Sequence, residues 1–105
     1  MIERVTWKAK LLPGMKAAYI KYHDDIWPEM TAVLNEAGVH NYTIWCMGDE
    51  LFGYYEATYG AAHARQKQAE SPVVAKWNLH MQGIMEMVTD ADGTPMPLEQ
   101  VFYHA

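Results

Sequence analysis

A single cysteine, Cys46, in 105 residues excludes an internal disulfide framework, so burial and hydrogen bonding must hold this fold, and a reducing, cytoplasmic setting is expected. Basic residues are also scarce. Eight Lys and Arg against 13 Asp and Glu give a net charge of −5 with no basic stripe, which argues against a nucleic-acid partner. No long apolar run follows Met1-Ile2-Glu3-Arg4, so neither a signal peptide nor a membrane span is expected. The chain has no glycine-rich phosphate loop and no dinucleotide fingerprint, and its histidines and cysteine show no metal-ligand spacing. These absences predict no cofactor and no metal. What is present is ample apolar material: half the residues are apolar and 20% charged, enough for the core of one domain over residues 1–105.

The hydrophobic period changes along the chain. Over residues 2–12, Val5, Trp7, Ala9 and Leu11 alternate with Arg4, Thr6, Lys8 and Lys10, the pattern of a half-buried strand. Pro13-Gly14 breaks it. Met15, Tyr19, Tyr22, Ile26, Met30, Val33 and Ala37 then recur at helical steps up to Gly38, interrupted by Pro28, which predicts a kink or two abutting helices. Residues 39–47 and 51–59 read as a hairpin around Gly48-Asp49-Glu50. Gly60 to Glu70 is a short, polar helical segment, and Ser71-Pro72 opens a further helix whose stripe is Val74, Trp77, Met81, Ile84, Met85 and Val88. Thr89 to Pro97 reads as a loop and Leu98 to Tyr103 as a last strand.

The order β-α-β-β-α-β is that of a ferredoxin-like α+β fold with a four-stranded antiparallel sheet. Both helical passages pack on one side. The other sheet face then needs cover, and a homodimer of the α/β-barrel type supplies it.

Tyr19, His23, Ile26 and Met30 fall within one sector of the first helix, with the imidazole turned toward the sheet. A plain alternative for His23 is a core histidine satisfied by a backbone carbonyl or a tyrosine. The hydroxyl of Tyr19, one turn earlier, could share its cavity. Tyr42 shares a strand face with His40 and Ile44, as a core residue or a ligand contact. Trp77 sits on the apolar stripe, more simply read as core, and Asn78 beside it faces either a cleft or solvent. His63 and His104 read as solvated, His80 as a neighbour of Trp77, and Cys46 as a buried, inert thiol. Asp24, Asp25 and Glu29 read as serving the helix start near Pro28.

The spacing Tyr19, His23, Ile26-Trp27-Pro28-Glu29 resembles the signature of the L-rhamnose mutarotase family. So do Gly38, His40-Asn41-Tyr42 and Ile44, the Leu51-Phe52 strand and the terminal Val101-Phe102-Tyr103. The likeness runs from Met1 to Tyr103. It implies a dimeric ferredoxin-like enzyme that equilibrates the α and β anomers of a 6-deoxyhexose, most simply L-rhamnose. It also implies His23 as proton donor, with Tyr19, Tyr42, Trp77 and the following position contacting the sugar. Where that family carries two adjacent tryptophans this chain has Trp77-Asn78, which leaves L-fucose or another deoxysugar open as substrate.

Mutarotation suits these residues. It opens a hemiacetal, turns the aldehyde about one carbon–carbon bond and recloses it, with proton transfers that reverse on closure. An imidazole, whose unperturbed pKa of ~6.5 allows both giving and taking a proton, is apt. A rival of another class is a haem- or quinone-binding monooxygenase on the same kind of barrel, since small barrels of that type use one histidine and one tryptophan and this chain has both residue types. A sugar-sensing domain without catalysis is a third.

Overall fold

The alternation in the first strand places Val5, Ala9 and Leu11 inside, each 6% exposed or less, while Arg4 and Lys10 face out. A computed structural model describes residues 2–105. The elements run β1 (Glu3–Leu11), α1 (Lys16–Asp24), α2 (Pro28–Glu36), β2 (Val39–Met47), β3 (Glu50–Ala57), α3 (Ala61–Glu70), α4 (Pro72–His80) and β4 (Met85–Met87). The strands lie in the order β2-β3-β1-β4 and every pairing is antiparallel. This is the ferredoxin-like α+β arrangement, with each helical passage split in two.

Proline makes both splits readable. Trp27 is extended (φ −67°, ψ 140°) ahead of Pro28, as the residue before proline prefers, and α2 starts there. Pro72 stands in the first turn of α4, and the Ser71 hydroxyl accepts a hydrogen bond from the Val74 N–H at 3.3 Å. The acidic residues near Pro28 divide differently from expectation. Glu29 is in the first turn of α2, but Asp25 caps the end of α1 and pairs with Lys21 at 3.5 Å.

The end of the chain departs from the sequence reading. The last helix stops at His80, and the fourth strand is Met85–Met87 instead of Leu98 to Tyr103. Met81 and Ile84 keep their inward positions (5% and 6% exposed), but a turn through Gly83 at φ +81° carries them, a conformation glycine adopts freely. The strand that follows fills the free edge of β1, with Ala9 opposite Met87 and Leu11 opposite Met85. No place in the ladder remains there for Leu98 to Tyr103, and Pro95 and Pro97 before it lack the N–H a ladder needs. Those residues cross the outer face instead. The Leu98 N–H donates to Thr6 Oγ1 at 2.8 Å, and the Arg4 guanidinium lies 4.5 Å from the centre of the Tyr103 ring.

A bulge corrects the facing of β2. His40 pairs with Glu56, but the next paired residue is Thr43, opposite Tyr54. Asn41 takes φ +49° in the intervening step. His40 therefore points outward with Glu56, while Tyr42 and Ile44 turn toward the helices, so the three do not share a face. The Asn41 amide donates to Glu56 at 2.8 Å, and with the Tyr54 hydroxyl it holds that carboxyl below the usual range. Cys46, expected inside, is exposed, its thiol directed to the Gly48 carbonyl at 3.2 Å.

Apolar packing divides into two groups. One joins Ala9, Leu11 and Leu51 of the sheet to Tyr19, Met30, Trp77 and Met81. The other joins Val5, Val39, Tyr55 and Ala57 to Ala37 and Ala64. Trp7 packs against both.

Candidate active site

Between the helices and the inner sheet face is a cleft of about 1340 Å³. It exceeds the ~300–1,000 Å³ usual for a small-molecule site and runs on to Met87 and Pro97, beyond the end where Tyr19, His23 and Trp77 cluster. That end is built from opposite walls. α1 contributes Tyr19 and His23, one turn apart; α4 contributes Trp77 and Asn78; the sheet contributes Trp7, Tyr42 and Ile44. All five residues singled out in the sequence thus line one cavity.

His23 is half-buried and held from three sides. Its ring stacks on Tyr19 with centroids 4.2 Å apart, and the Trp77 ring meets it edge-on at 5.3 Å. Its Nδ1 lies 2.9 Å from the Tyr19 carbonyl oxygen. A carbonyl only accepts, so this contact places a proton on Nδ1 and does not engage Nε2. The backbone-carbonyl contact of a satisfied histidine is therefore present, yet it engages one nitrogen of two.

Trp77, 8% exposed, is itself braced by Trp27 at 5.2 Å and by His80 at 5.7 Å. His80 stacks on Tyr22 at 4.1 Å and so supports Trp77 from behind. Asn78 is exposed at the cavity wall. His63, read as solvated, is half-buried with its ring 5.4 Å from Tyr59, and His104 is exposed.

The two phenols are not acids in the neutral range. Burial pushes Tyr19 well above the usual phenol value, and the nearby Tyr42 and Cys46 act in the same direction. Burial likewise pushes Tyr42 up to about 12, opposed by a hydrogen bond from Trp7. Both hydroxyls thus stay protonated as hydrogen-bonding groups.

Two polar contributors were not legible as such. Trp7 reads in sequence only as one inward residue of β1, yet its Nε1–H donates to the Tyr42 hydroxyl at 2.8 Å. Gln68, on a polar helix, also faces the cavity, its amide 3.5 Å from the Tyr55 hydroxyl and 3.0 Å from the Ala64 carbonyl oxygen. The alternation marked Trp7 as inward; its partner depends on the bulge at Asn41.

The sequence profile described as L-rhamnose mutarotase matches residues 4–104. The chain belongs to the L-rhamnose mutarotase family. The L-rhamnose mutarotase of Jannaschia sp. (strain CCS1) is 38% identical over 104 residues, 97% of this chain and 98% of that protein. That of Mesorhizobium japonicum is 35% identical over 105 residues, the full length of both. The crystal structure of L-rhamnose mutarotase from Formosa agariphila superposes with a TM-score of 0.77 at 34% identity, covering 98% of this chain and 99% of that one. Membership of a mutarotase family makes this chain an isomerase, and none of these likenesses supports the monooxygenase reading.

Proposed function

We propose that this chain is a mutarotase interconverting the α and β anomers of a 6-deoxyhexose, with L-rhamnose as substrate, by acid/base ring opening and reclosure. One observation carries the mechanism: His23 stands on the cavity wall with Nδ1 tied to the Tyr19 carbonyl and Nε2 free for proton transfer. As imidazolium, His23 gives a proton to the ring oxygen while the bond from that oxygen to the anomeric carbon breaks. The anomeric hydroxyl loses its proton through bound water or a tyrosine hydroxyl and becomes the aldehyde carbonyl. Rotation about one carbon–carbon bond exposes the other face, and the transfers run backward on closure, so no net proton is consumed. Tyr19 and Tyr42 orient hydroxyls, Trp77 packs on the apolar sugar face or its methyl group, and the Asn78 amide contacts a polar edge.

The finer readings rest on separate features. Trp45, Met47, Val101 and Phe102 are each more than two-thirds exposed on or beside the outer sheet face. Their exposure supports a homodimer in which a second copy covers them. The unpaired Cys46 supports a cytoplasmic setting, and residues 1–105 act as one domain. Among the described residues no helix is long and apolar enough to cross a membrane.

Saturation-transfer NMR on a panel including L-rhamnose and L-fucose tests the reaction and the sugar together. His23→Ala should slow exchange of the preferred sugar by ~100- to 10,000-fold. Exchange near the wild-type rate in that variant rules out His23, and L-fucose exchanging faster than L-rhamnose replaces the substrate.

A further inference from the structure

We propose that Trp7, seated on Gly53, is a positioning residue that fixes Tyr42 as a hydrogen-bond donor to the sugar and takes it out of the proton relay. The inference rests on the mutarotase reading and deepens it.

The chemistry follows from one contact. The indole Nε1–H donates to the Tyr42 hydroxyl at 2.8 Å, and an indole nitrogen has no acceptor to offer in return. The phenol oxygen therefore accepts from Trp7, and its own hydrogen must point elsewhere. Tyr42 lines the cavity, so that hydrogen is available to a ligand oxygen there. The raised pKa of this phenol keeps the hydrogen in place throughout the neutral range. A relay would need the Tyr42 oxygen to take the anomeric proton, but Trp7 already occupies part of its acceptor capacity. The oxygen left at the anomeric carbon on ring opening is a carbonyl, which only accepts, and a fixed donor matches it. The relay is then left to Tyr19 or bound water.

The seat is specific. Trp7 and Gly53 are directly opposed in the β1–β3 register. A Cβ on residue 53 would collide with Trp7 Cε2 and Nε1, so any side chain there displaces the indole at the edge that donates. Glycine weakens a central strand, and β3 lies between β2 and β1; close approach of another group is the reason to place one there. Trp7 also bridges the two apolar groups, which pins the ring. On the receiving side, the bulge at Asn41 turns Tyr42 inward. Three features distant in sequence thus converge on the direction of one O–H bond.

A double-mutant cycle read by anomer exchange separates positioning from packing. Trp7→Phe keeps an aromatic side chain on the inner face but removes the Nε1–H together with part of the indole, so the cycle with Tyr42 separates the hydrogen bond from the lost packing; the hydrogen-bond part should lower the exchange rate by roughly threefold to tenfold. In a Tyr42→Phe background the same change should cause no further loss, because the two residues act as one unit. Gly53→Ala, which crowds the indole but keeps its N–H, should show the same loss and the same dependence on Tyr42. An unchanged rate in Trp7→Phe overturns the proposal, and so does an equal loss with and without the Tyr42 hydroxyl. Wild-type protein that accelerates no 6-deoxyhexose sinks the mutarotase reading itself; active wild type with an additive cycle sinks this proposal alone.

Discussion

The two faces of the sheet treat neighbouring residues in opposite ways. Along β3, Leu51, Gly53, Tyr55 and Ala57 are buried toward the helices, whereas Phe52, Tyr54 and Glu56 alternate outward and are half-buried. The inner face mixes small residues, Ala9, Gly53 and Ala57, with a few large rings, and the small ones leave space for Trp7 and Tyr42 to lie across the sheet. Its polar groups are few and directed at one cavity. On the outer face polar groups pair with one another: Lys8 with Glu50 at 2.8 Å, and Asn41 and Tyr54 with Glu56 at 2.8 and 3.0 Å. Large apolar groups there, such as Trp45 and Met47, stay exposed. One face encloses the cavity, and the other leaves large apolar groups uncovered.

The largest expected break in this contrast comes from adjacent residues. Leu51 is 2% exposed within the inner group, so Leu51→Ala should cost about 2–5 kcal/mol through lost burial and a residual cavity. Phe52 points the other way, and Phe52→Ala should cost less than half as much. Urea unfolding of both variants measures this. Equal losses would mean that the outer face carries as much of the fold's stability as the inner one.

The contrast was legible in part. Alternation in residues 2–12 and the glycine between two β-rich runs placed β1, β2 and β3 nearly to the residue, because a half-buried strand has to repeat every second position. Pro28 and Ser71-Pro72 located helix starts because proline restricts geometry locally. The failures were non-local. Val101-Phe102-Tyr103 favours a strand, but the edge it would need is already filled by Met85–Met87, and edge occupancy is decided by the whole sheet. The bulge that separates His40 from Tyr42 depends on pairing with β3, which one strand's pattern does not report. In the site, His23 and Tyr19 were placed by helical spacing alone. Trp7 as a partner of Tyr42 was not, since two strands and a glycine must come together first.

A smaller effect distinguishes the dryness of the two faces. Burial pushes the Tyr42 phenol up to about 12, against ~10 for a free phenol, so the folded state holds this proton more tightly. The sign follows from linkage: its stabilisation is complete below pH ~10 and is lost as pH rises toward 12, when the unfolded chain ionises first. The full span is roughly 2–3 kcal/mol. Stability measured from pH 9 to 11.5 should fall less steeply in Tyr42→Phe than in wild type. Identical slopes would place Tyr42 in surroundings no drier than those of the outer face.

The smallest effect on the fold is expected at Trp45, 69% exposed on the outer face of β2, where the side chain leaves most of its surface in water. Trp45→Lys should change unfolding free energy by no more than ~0.5 kcal/mol when measured at a dilution where the chain is monomeric. Its consequence should lie in assembly. A lysine there places a strongly hydrated charge where a second copy would bury an aromatic ring, and a charge buried without a partner opposes association. Light scattering across a concentration series should therefore show a dimer for wild type and a monomer for the variant. A wild-type protein that stays monomeric throughout removes the homodimer. A variant that remains dimeric moves the interface off β2, leaving the tail from Leu98 to Tyr103 as the outer-face surface that a second copy would have to cover.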